Sequence, residues 1–402
     1  MTTTKDVLIS GAGVAGPALA YWLRRYGFRP LVVERAPARR TGGYKVDVRG
    51  AGVEVLKRMG LFEAARAADT GMRHITYVRP DGRPIARLDA NLLMGRRGDD
   101  LELFRTDLSR ILYDATAADV EYVFGDAITA LGPDGEVTFD SGAQRRFDLI
   151  VGADGLHSAT RKLASLQSHS GQRVGRSDGI SDVALRHLGA YIAFGTVPNH
   201  LGLDREEVFY ARPGRMVFLY ATGPAEPARA GFVFASPDLG RRATRADVVA
   251  HFAGGGWEVD RLLDGLGDDL YVDSLSQVEL PRWCTGRVAL VGDAAYCPSP
   301  SSGQGTSLAL VGAYTLAASL AGGADYQATM ASYVRRNLDF GAKMAGEMVP
   351  GGRFVLALRH YGMRTLKYHP FKRQMIEHVT RPLHEAANAI ELPPVAGTPA
   401  AA

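Results

Sequence analysis

The sequence predicts an α/β fold, and three observations carry that reading. Asp6 to Ser10 is a short apolar strand that runs into Gly11-Ala-Gly13-Val-Ala-Gly16, then a helix, then a second strand from Pro30 to Val33 ending at Glu34. Two further buried-type strands, Phe147 to Val151 and Val288 to Val291, each stop at a glycine and an aspartate. Between them, Gly189 to Phe234 alternates strand signals with turns, whereas the chain after Ala324 reads as helix with glycine breaks. The expected architecture is a βαβ dinucleotide-binding unit, an inserted mixed β-sheet and a C-terminal helical segment.

Composition bounds the function classes. The chain has 402 residues, 46% hydrophobic and 22% charged, an ordinary globular profile long enough for two or three domains. A net charge of +4 is small for this size and gives no reason to expect a nucleic-acid partner. Cys284 and Cys297 are the two cysteines, too few for a disulfide framework and without metal-ligand spacing, so no metal is expected. The N-terminal residues lack the basic-then-apolar order of a signal peptide, and a cytoplasmic protein without membrane association is the expectation.

In chain order, Gly11, Gly13, Ala15 and Gly16 form the turn that admits a pyrophosphate to a helix N-terminus. Pro17 sits in the first turn, and Gly27 closes the helix. Glu34, with Arg35 beside it, is placed to receive ribose hydroxyls. The pattern alone leaves FAD and NAD open. Thr41 to Gly52 reads as a polar, glycine-rich connection carrying Asp47 and Arg49, followed by an amphipathic helix ending at Gly60. Ile75 to Leu88 reads as a hairpin around Pro80-Asp81-Gly82. Phe104 to Ala118 reads as a helix, with Arg105 in its first turn, where a cation opposes the dipole and needs another polar or anionic partner.

Three short strands are expected before Phe147, and the apolar-poor stretch 166–182 reads as a mobile excursion. The inserted sheet has strand signals near Ala190 to Val197, Glu207 to Arg212, Arg215 to Thr222 and Gly231 to Ala235. It is rich in aromatics, among them Phe194, Phe209, Tyr210, Phe218 and Tyr220, which are candidates for an apolar substrate wall. Thr244 to Leu266 reads as helix broken at Gly254-Gly255-Gly256, and Tyr271 to Leu280 as a last strand. Arg353 to Arg381 is basic and amphipathic; a membrane surface fits it, but a solvated face on a packed helix is the plainer expectation. From Leu392 the Pro- and Ala-rich end is expected to be disordered.

The stretch VGDAAYCPSPSSGQGTSLAL, Val291 to Leu310, holds the remaining chemistry. A strand gives way to a Pro, Ser and Gly loop and then to a buried helix whose first turn offers free N–H groups and the positive end of its dipole. This stretch resembles the second flavin-binding motif of the class A (single-component) FAD-dependent monooxygenases, the aromatic hydroxylase family. Gly292, Asp293, Ala294, Ala295, Pro300, Gly303, Gln304 and Gly305 match that motif, while Tyr296, Ser299, Ser307 and Gly312 depart from it. The family's DG motif is matched by Asp154, Gly155, Ser158 and Arg161, and its flavin-contacting arginine by Arg105, Leu108 and Leu112.

The resemblance implies a Rossmann-like, glutathione-reductase-type FAD domain divided over 1–72, 104–164 and 283–340. The substrate domain would take 73–103 and 165–282, with C-terminal helices at 341–391 and a tail at 392–402. It implies FAD as cofactor and NADPH or NADH as co-substrate, with no separate nicotinamide domain. Oxygen would be transferred to the substrate through a flavin C4a-hydroperoxide. Asp293 would hold the ribityl chain, the amides of Gly303, Gln304, Gly305 and Thr306 would face the ring, and Pro300 would wall the reacting carbon. The expected substrate is a large, planar aromatic or polyketide-like molecule, in a biosynthetic or an antibiotic-inactivating role, with the protein a monomer or homodimer. A flavin-binding ligand sensor with poor turnover and a plain NAD-dependent dehydrogenase are the alternatives.

Overall fold

A computed structural model of the chain describes residues 5–39, 43–170, 185–366 and 368–395. Its first layer is a six-stranded sheet in the order 284–285, 288–290, 149–152, 6–10, 29–34, 121–124. All neighbours are parallel except Cys284–Thr285, which runs against Val288–Leu290. Both faces of such a sheet must be covered, and its strands are correspondingly continuous apolar runs: Val7, Leu8 and Ile9 are fully buried. The helices Ala15–Arg25 and Gly305–Leu320 pack on it, and twelve of the latter's sixteen residues are buried.

The second layer is a seven-stranded sheet in the order 271–278, 185–197, 228–235, 215–221, 206–212, 74–78, 84–89. It is antiparallel apart from the pairing of Glu206–Arg212 with His74–Val78, which is parallel, so the hairpin at 74–89 extends the later strands into one mixed sheet. One face packs on the helices Arg245–Phe252 and Val259–Asp264, through Phe232, Phe234 and Phe252. The other face, carrying Ile75, Ile192 and Phe218, looks toward the six-stranded sheet. A two-stranded ladder, Lys45–Val48 with Leu101–Phe104, lies between them.

Some elements differ from the sequence expectation, each for a physical reason. Four short strands, not three, precede Leu149–Gly152, because the polar Gln144–Arg146 pairs as an exposed edge against Glu136–Phe139. The glycine-rich connection contains Lys45–Val48, whose alternation is hidden by Lys45 and Asp47 being largely covered charges. The expected excursion at 166–182 begins as the end of the helix Ala159–Ser170, and 171–184 lie outside the described residues. At the chain end, Leu392 and Val395 pack against the core, and the Pro393 carbonyl accepts from Arg58 and from the Tyr314 hydroxyl, so order persists at least to 395; 396–402 lie outside the described residues. No helix among the described residues is long and apolar enough to cross a membrane.

Candidate active site

The parallel register brings Ser10, Val33, Gly152 and Leu290 level at one edge of the six-stranded sheet. The first glycine turn, the Glu34 strand end, the DG turn and the Gly292 turn therefore leave the same carboxyl edge, the position at which open α/β sheets bind ligands. Above it lies a cavity of about 1760 Å³, reaching from the first glycine turn to the inner face of the seven-stranded sheet. Pockets for one drug-sized ligand run to roughly 300–1,000 Å³, so this space accommodates two ligands side by side.

At one end the glycine turn is held by close backbone contacts. Gly11 has φ +111° and donates to the Val33 carbonyl at 2.7 Å; a Cβ there would lie 2.5 Å from the Ala153 carbonyl oxygen. Gly13, Ala15, Glu34 and Arg35 line the cavity, whereas Gly16 does not: a Cβ on it would fall 1.9 Å from the Gly11 oxygen, so its role is to let helix and turn touch. The Glu34 carboxylate accepts from the N–H of Ala12 at 2.9 Å and of Ala36 at 3.0 Å, shaping the turn as well as facing the cavity.

Arg105, the first residue of the helix Arg105–Asp114, also lines the cavity, with a guanidinium nitrogen 3.5 Å from where a Cβ on Gly13 would sit. No carboxylate among the described residues forms an ion pair with it; Tyr44, Asp293 and Glu34 are its electrostatic neighbours. A cation at a glycine turn without a protein anion fits a bound pyrophosphate. The Asp293 carboxyl is pushed up by burial and drawn down less strongly by Arg105. A buried acid beside a large cavity suits a hydroxyl partner, which its contact with the Cys297 thiol does not fully provide.

The second glycine loop is more divided in function than its sequence suggests. Pro300, Gly303, Gly305 and Thr306 line the cavity. The positive φ falls on Gly303, at +63°, and not on Gly305. The Gly303 N–H is taken by the Pro300 carbonyl and the Gln304 N–H by the Ser302 hydroxyl. Donors for a ring are thereby narrowed to Gly305 and Thr306, at the helix start where N–H groups lack intrahelical acceptors. The Gln304 side chain is buried away from the cavity, and Gly292 packs its strand end between Ala15 and Ala309.

The DG turn resolves similarly. Asp154 and Gly155 line the cavity, and Asp154 caps the following helix by accepting from the Ser158 hydroxyl and the Thr160 N–H. Arg161 does not line it: the guanidinium is buried behind, donating to the carbonyls of Ala294 at 2.9 Å and Leu156 at 2.7 Å. It ties the DG turn to the second glycine loop, so the expectation of direct cofactor contact is replaced by a bracing role. Asp47 and Arg49 line the cavity and pair with each other at 3.0 Å.

Of the aromatics, Phe194, Phe209 and Phe218 line the cavity. Phe209 stacks on Tyr77 at 5.4 Å and on Phe218 at 5.7 Å, and Tyr44 stacks on Phe194 at 4.5 Å. Tyr210 and Tyr220 do not line it. Strand alternation turns Tyr210 to the opposite face, where its hydroxyl donates to the Gly255 carbonyl; Tyr220 accepts from the Lys45 N–H and is covered by that strand. Sequence reasoning missed a charged group on this wall. Lys45 Nζ lies 2.6 Å from Glu207 and 3.1 Å from Glu102, all three nearly buried. Burial pushes the Glu207 carboxyl up against the pull of Lys45; burial also opposes the Lys45 ammonium, but the two carboxylates prevail and hold it charged. Residues 162 positions apart meet here, and no local pattern signals that.

Two of the departures from the family motif, Tyr296 and Gly312, are coupled to each other. Tyr296 is buried, its hydroxyl 2.7 Å from that of Tyr326, and a Cβ on Gly312 would fall 1.8 Å from the Tyr296 oxygen. A large ring at 296 requires the missing side chain at 312. Ser307 accepts from the Arg49 N–H at 3.0 Å. Tyr296, Ser307 and Gly312 therefore act behind the cavity wall, whereas Ser299 lines it.

This donor set fits FAD. The unpaired Arg105, the two glycine turns and the acids Glu34 and Asp293 all line one cavity, a donor set of the kinds that a pyrophosphate, ribose and ribityl hydroxyls and a flavin ring require. A family model described as FAD binding domain matches residues 4–216 and 274–347. The chain belongs to the class A FAD-dependent monooxygenases, the aromatic hydroxylase family. This monooxygenase is 40% identical over 364 residues to an uncharacterised protein of Mycobacterium tuberculosis, covering 87% of this chain and 94% of that one. It is 39% identical to a flavin-dependent monooxygenase from an unknown prokaryotic organism, over 83% of this chain and 86% of the relative. The crystal structure of tetracycline destructase Tet(55) superimposes with a TM-score of 0.79 at 33% identity, covering 98% of this chain and all of that one.

Proposed function

We propose that this monooxygenase consumes NAD(P)H and O₂ to oxygenate a large, planar, polycyclic phenolic molecule, with tetracycline-type antibiotics the class to which it is best suited. One observation supports this most: beyond the FAD-sized part of the cavity, the second compartment presents a stacked aromatic wall interrupted by a buried Lys45–Glu207 pair. Fused rings would lie against Tyr77, Phe209 and Phe218, and oxygen functions at their edge would meet the charges. The likeness to tetracycline destructase Tet(55) supports an inactivating rather than a biosynthetic role.

The chemistry supplied by bound FAD is acceptance of electrons from NAD(P)H and activation of O₂. The chain's own contributions are positional and electrostatic. Arg105 neutralises the pyrophosphate, Glu34 takes the ribose hydroxyls, and Asp293 accepts from the ribityl chain. The amides of Gly305 and Thr306 stabilise negative charge on the reduced ring without reorganising. Pro300 and the aromatic wall exclude water from the substrate compartment. The test is NADPH and NADH oxidation by the FAD-loaded protein with tetracycline and with simpler phenols. Stimulation by tetracycline with formation of an oxygenated product is expected. Tight binding of tetracycline without stimulated turnover would instead indicate a ligand-storing flavoprotein.

A further inference from the structure

The last two helices, Arg353–Leu366 and Lys372–Ala387, present a surface that catalysis does not use. The first has no buried residue. Its inner side holds Arg359, His360 and Met363, which line the cavity. Its outer side carries Phe354, Leu358 and Tyr361, spaced as one helical face, with Phe354 81% and Tyr361 67% exposed. The second helix and its lead-in add Phe371, Met375 and Val379, the last 75% exposed and also at the cavity rim. A contiguous outward apolar face of this kind is not accounted for by scattered surface residues.

Charge indicates what covers it. Residues 353–381 contain seven Lys and Arg against one acid, a surplus of six, while the whole chain's surplus is four. The rest of the molecule is therefore slightly acidic, and the positive charge is concentrated on this segment, where Arg359 and Arg381 pair with Glu347 and Glu385. Arg364 and Arg373 are exposed there without a carboxylate partner among the described residues. A second copy docking face to face would bring like charges together. Nucleic acid would leave Leu358, Met375 and Val379 without rings to stack on.

We infer that the outer face of these two helices docks on an anionic lipid bilayer, lying in its interface with the aromatic and aliphatic side chains inserted and the arginines at the headgroups. This needs no membrane-crossing helix. Because the same helices rim the cavity, docking turns its mouth to the bilayer, where an apolar substrate partitions.

The test is co-sedimentation of the FAD-loaded, full-length protein with phosphatidylglycerol–phosphatidylcholine vesicles and with phosphatidylcholine alone. Binding to the anionic vesicles at least tenfold tighter, and weakened by salt, is expected. Leu358→Glu with Phe371→Glu should abolish it while FAD content and Tm are retained. Arg364→Gln with Arg373→Gln, exposed changes that leave the core untouched, should weaken it by about fivefold per charge. Equal, negligible sedimentation with both vesicle types overturns the inference. So does a dimer in solution that the Leu358→Glu, Phe371→Glu pair converts to monomer without vesicle binding, or preference for RNA over anionic vesicles. Tetracycline turnover in solution is independent of all these outcomes, so failure here and failure of the proposed activity are separable.

Discussion

Replacing Gly305 by alanine separates the fold from the cofactor, because the two respond with opposite signs. An ideal Cβ at 305 comes no closer than 3.6 Å to its nearest protein neighbour, Asp293 Oδ1, which is ordinary contact. Gly305 starts the helix Gly305–Leu320 and has no positive φ, so alanine is conformationally acceptable there. The apo-protein should thus be unchanged or stabilised by up to about 1 kcal/mol, the helix-propensity gain of Gly→Ala, smaller at a helix end. The methyl group, however, adds bulk to the cavity wall beside Asp293, at the residues whose amides are assigned to the ring. Pushing the ring off a charge-assisted donor should lose about 1.5–3 kcal/mol, or roughly ten- to a hundredfold in affinity for reduced FAD. The assay is apo Tm by calorimetry beside FAD affinity and reduction potential by titration. A retained Tm with weaker binding and a more negative potential is expected. Wild-type affinity and potential in the folded variant would refute the placement of the ring against Gly305 and Thr306.

Arg105→Ala should weaken FAD retention at least tenfold with little change in apo Tm, measured by flavin release on gel filtration, because no carboxylate ion pair is lost. Asp293 gives a pH signature: burial raises its carboxyl in the folded state. The folded protein therefore holds that proton longer than the unfolded chain, and apo stability falls as pH rises from the unfolded value near ~4 through the raised one. Asp293→Asn should remove that slope in chemical denaturation while lowering FAD retention. Gly312→Ala should be severely destabilising beside Tyr296 and much less so in Tyr296→His, a non-additivity of about 1–3 kcal/mol in a denaturation cycle.

What the sequence made legible was local. The glycine turn, its helix and Glu34 span two dozen residues, and their spacing is readable within that unit, although the contact that requires Gly11 is made with Ala153, far along the chain. Arg105 was identified through an electrostatic misfit at a helix start, which a single segment suffices to reveal. Side-chain direction was not legible. The DG motif could not say that Arg161 turns inward to brace Ala294, and choosing aromatics by content could not separate Phe209 from Tyr210, whose faces differ by one residue of register. The Lys45, Glu102 and Glu207 group was invisible because three strands from distant segments build it. Arg353 to Arg381 reads as a solvated face on a packed helix; the helix 353–366 does pack against strands 84–89 and 206–212, but no residue of it is fully buried. Amphipathicity in sequence does not say which face meets the protein.

On the proposed function, the cavity holds FAD and a polycyclic substrate together for oxygen transfer. The most direct measurement is mass spectrometry of tetracycline after incubation with FAD-loaded enzyme and NADPH under isotopically labelled O₂. A product carrying one labelled oxygen atom is expected, formed in step with NADPH consumed and diminished in Gly305→Ala. Unmodified tetracycline, with NADPH oxidation unchanged by its presence, would contradict it.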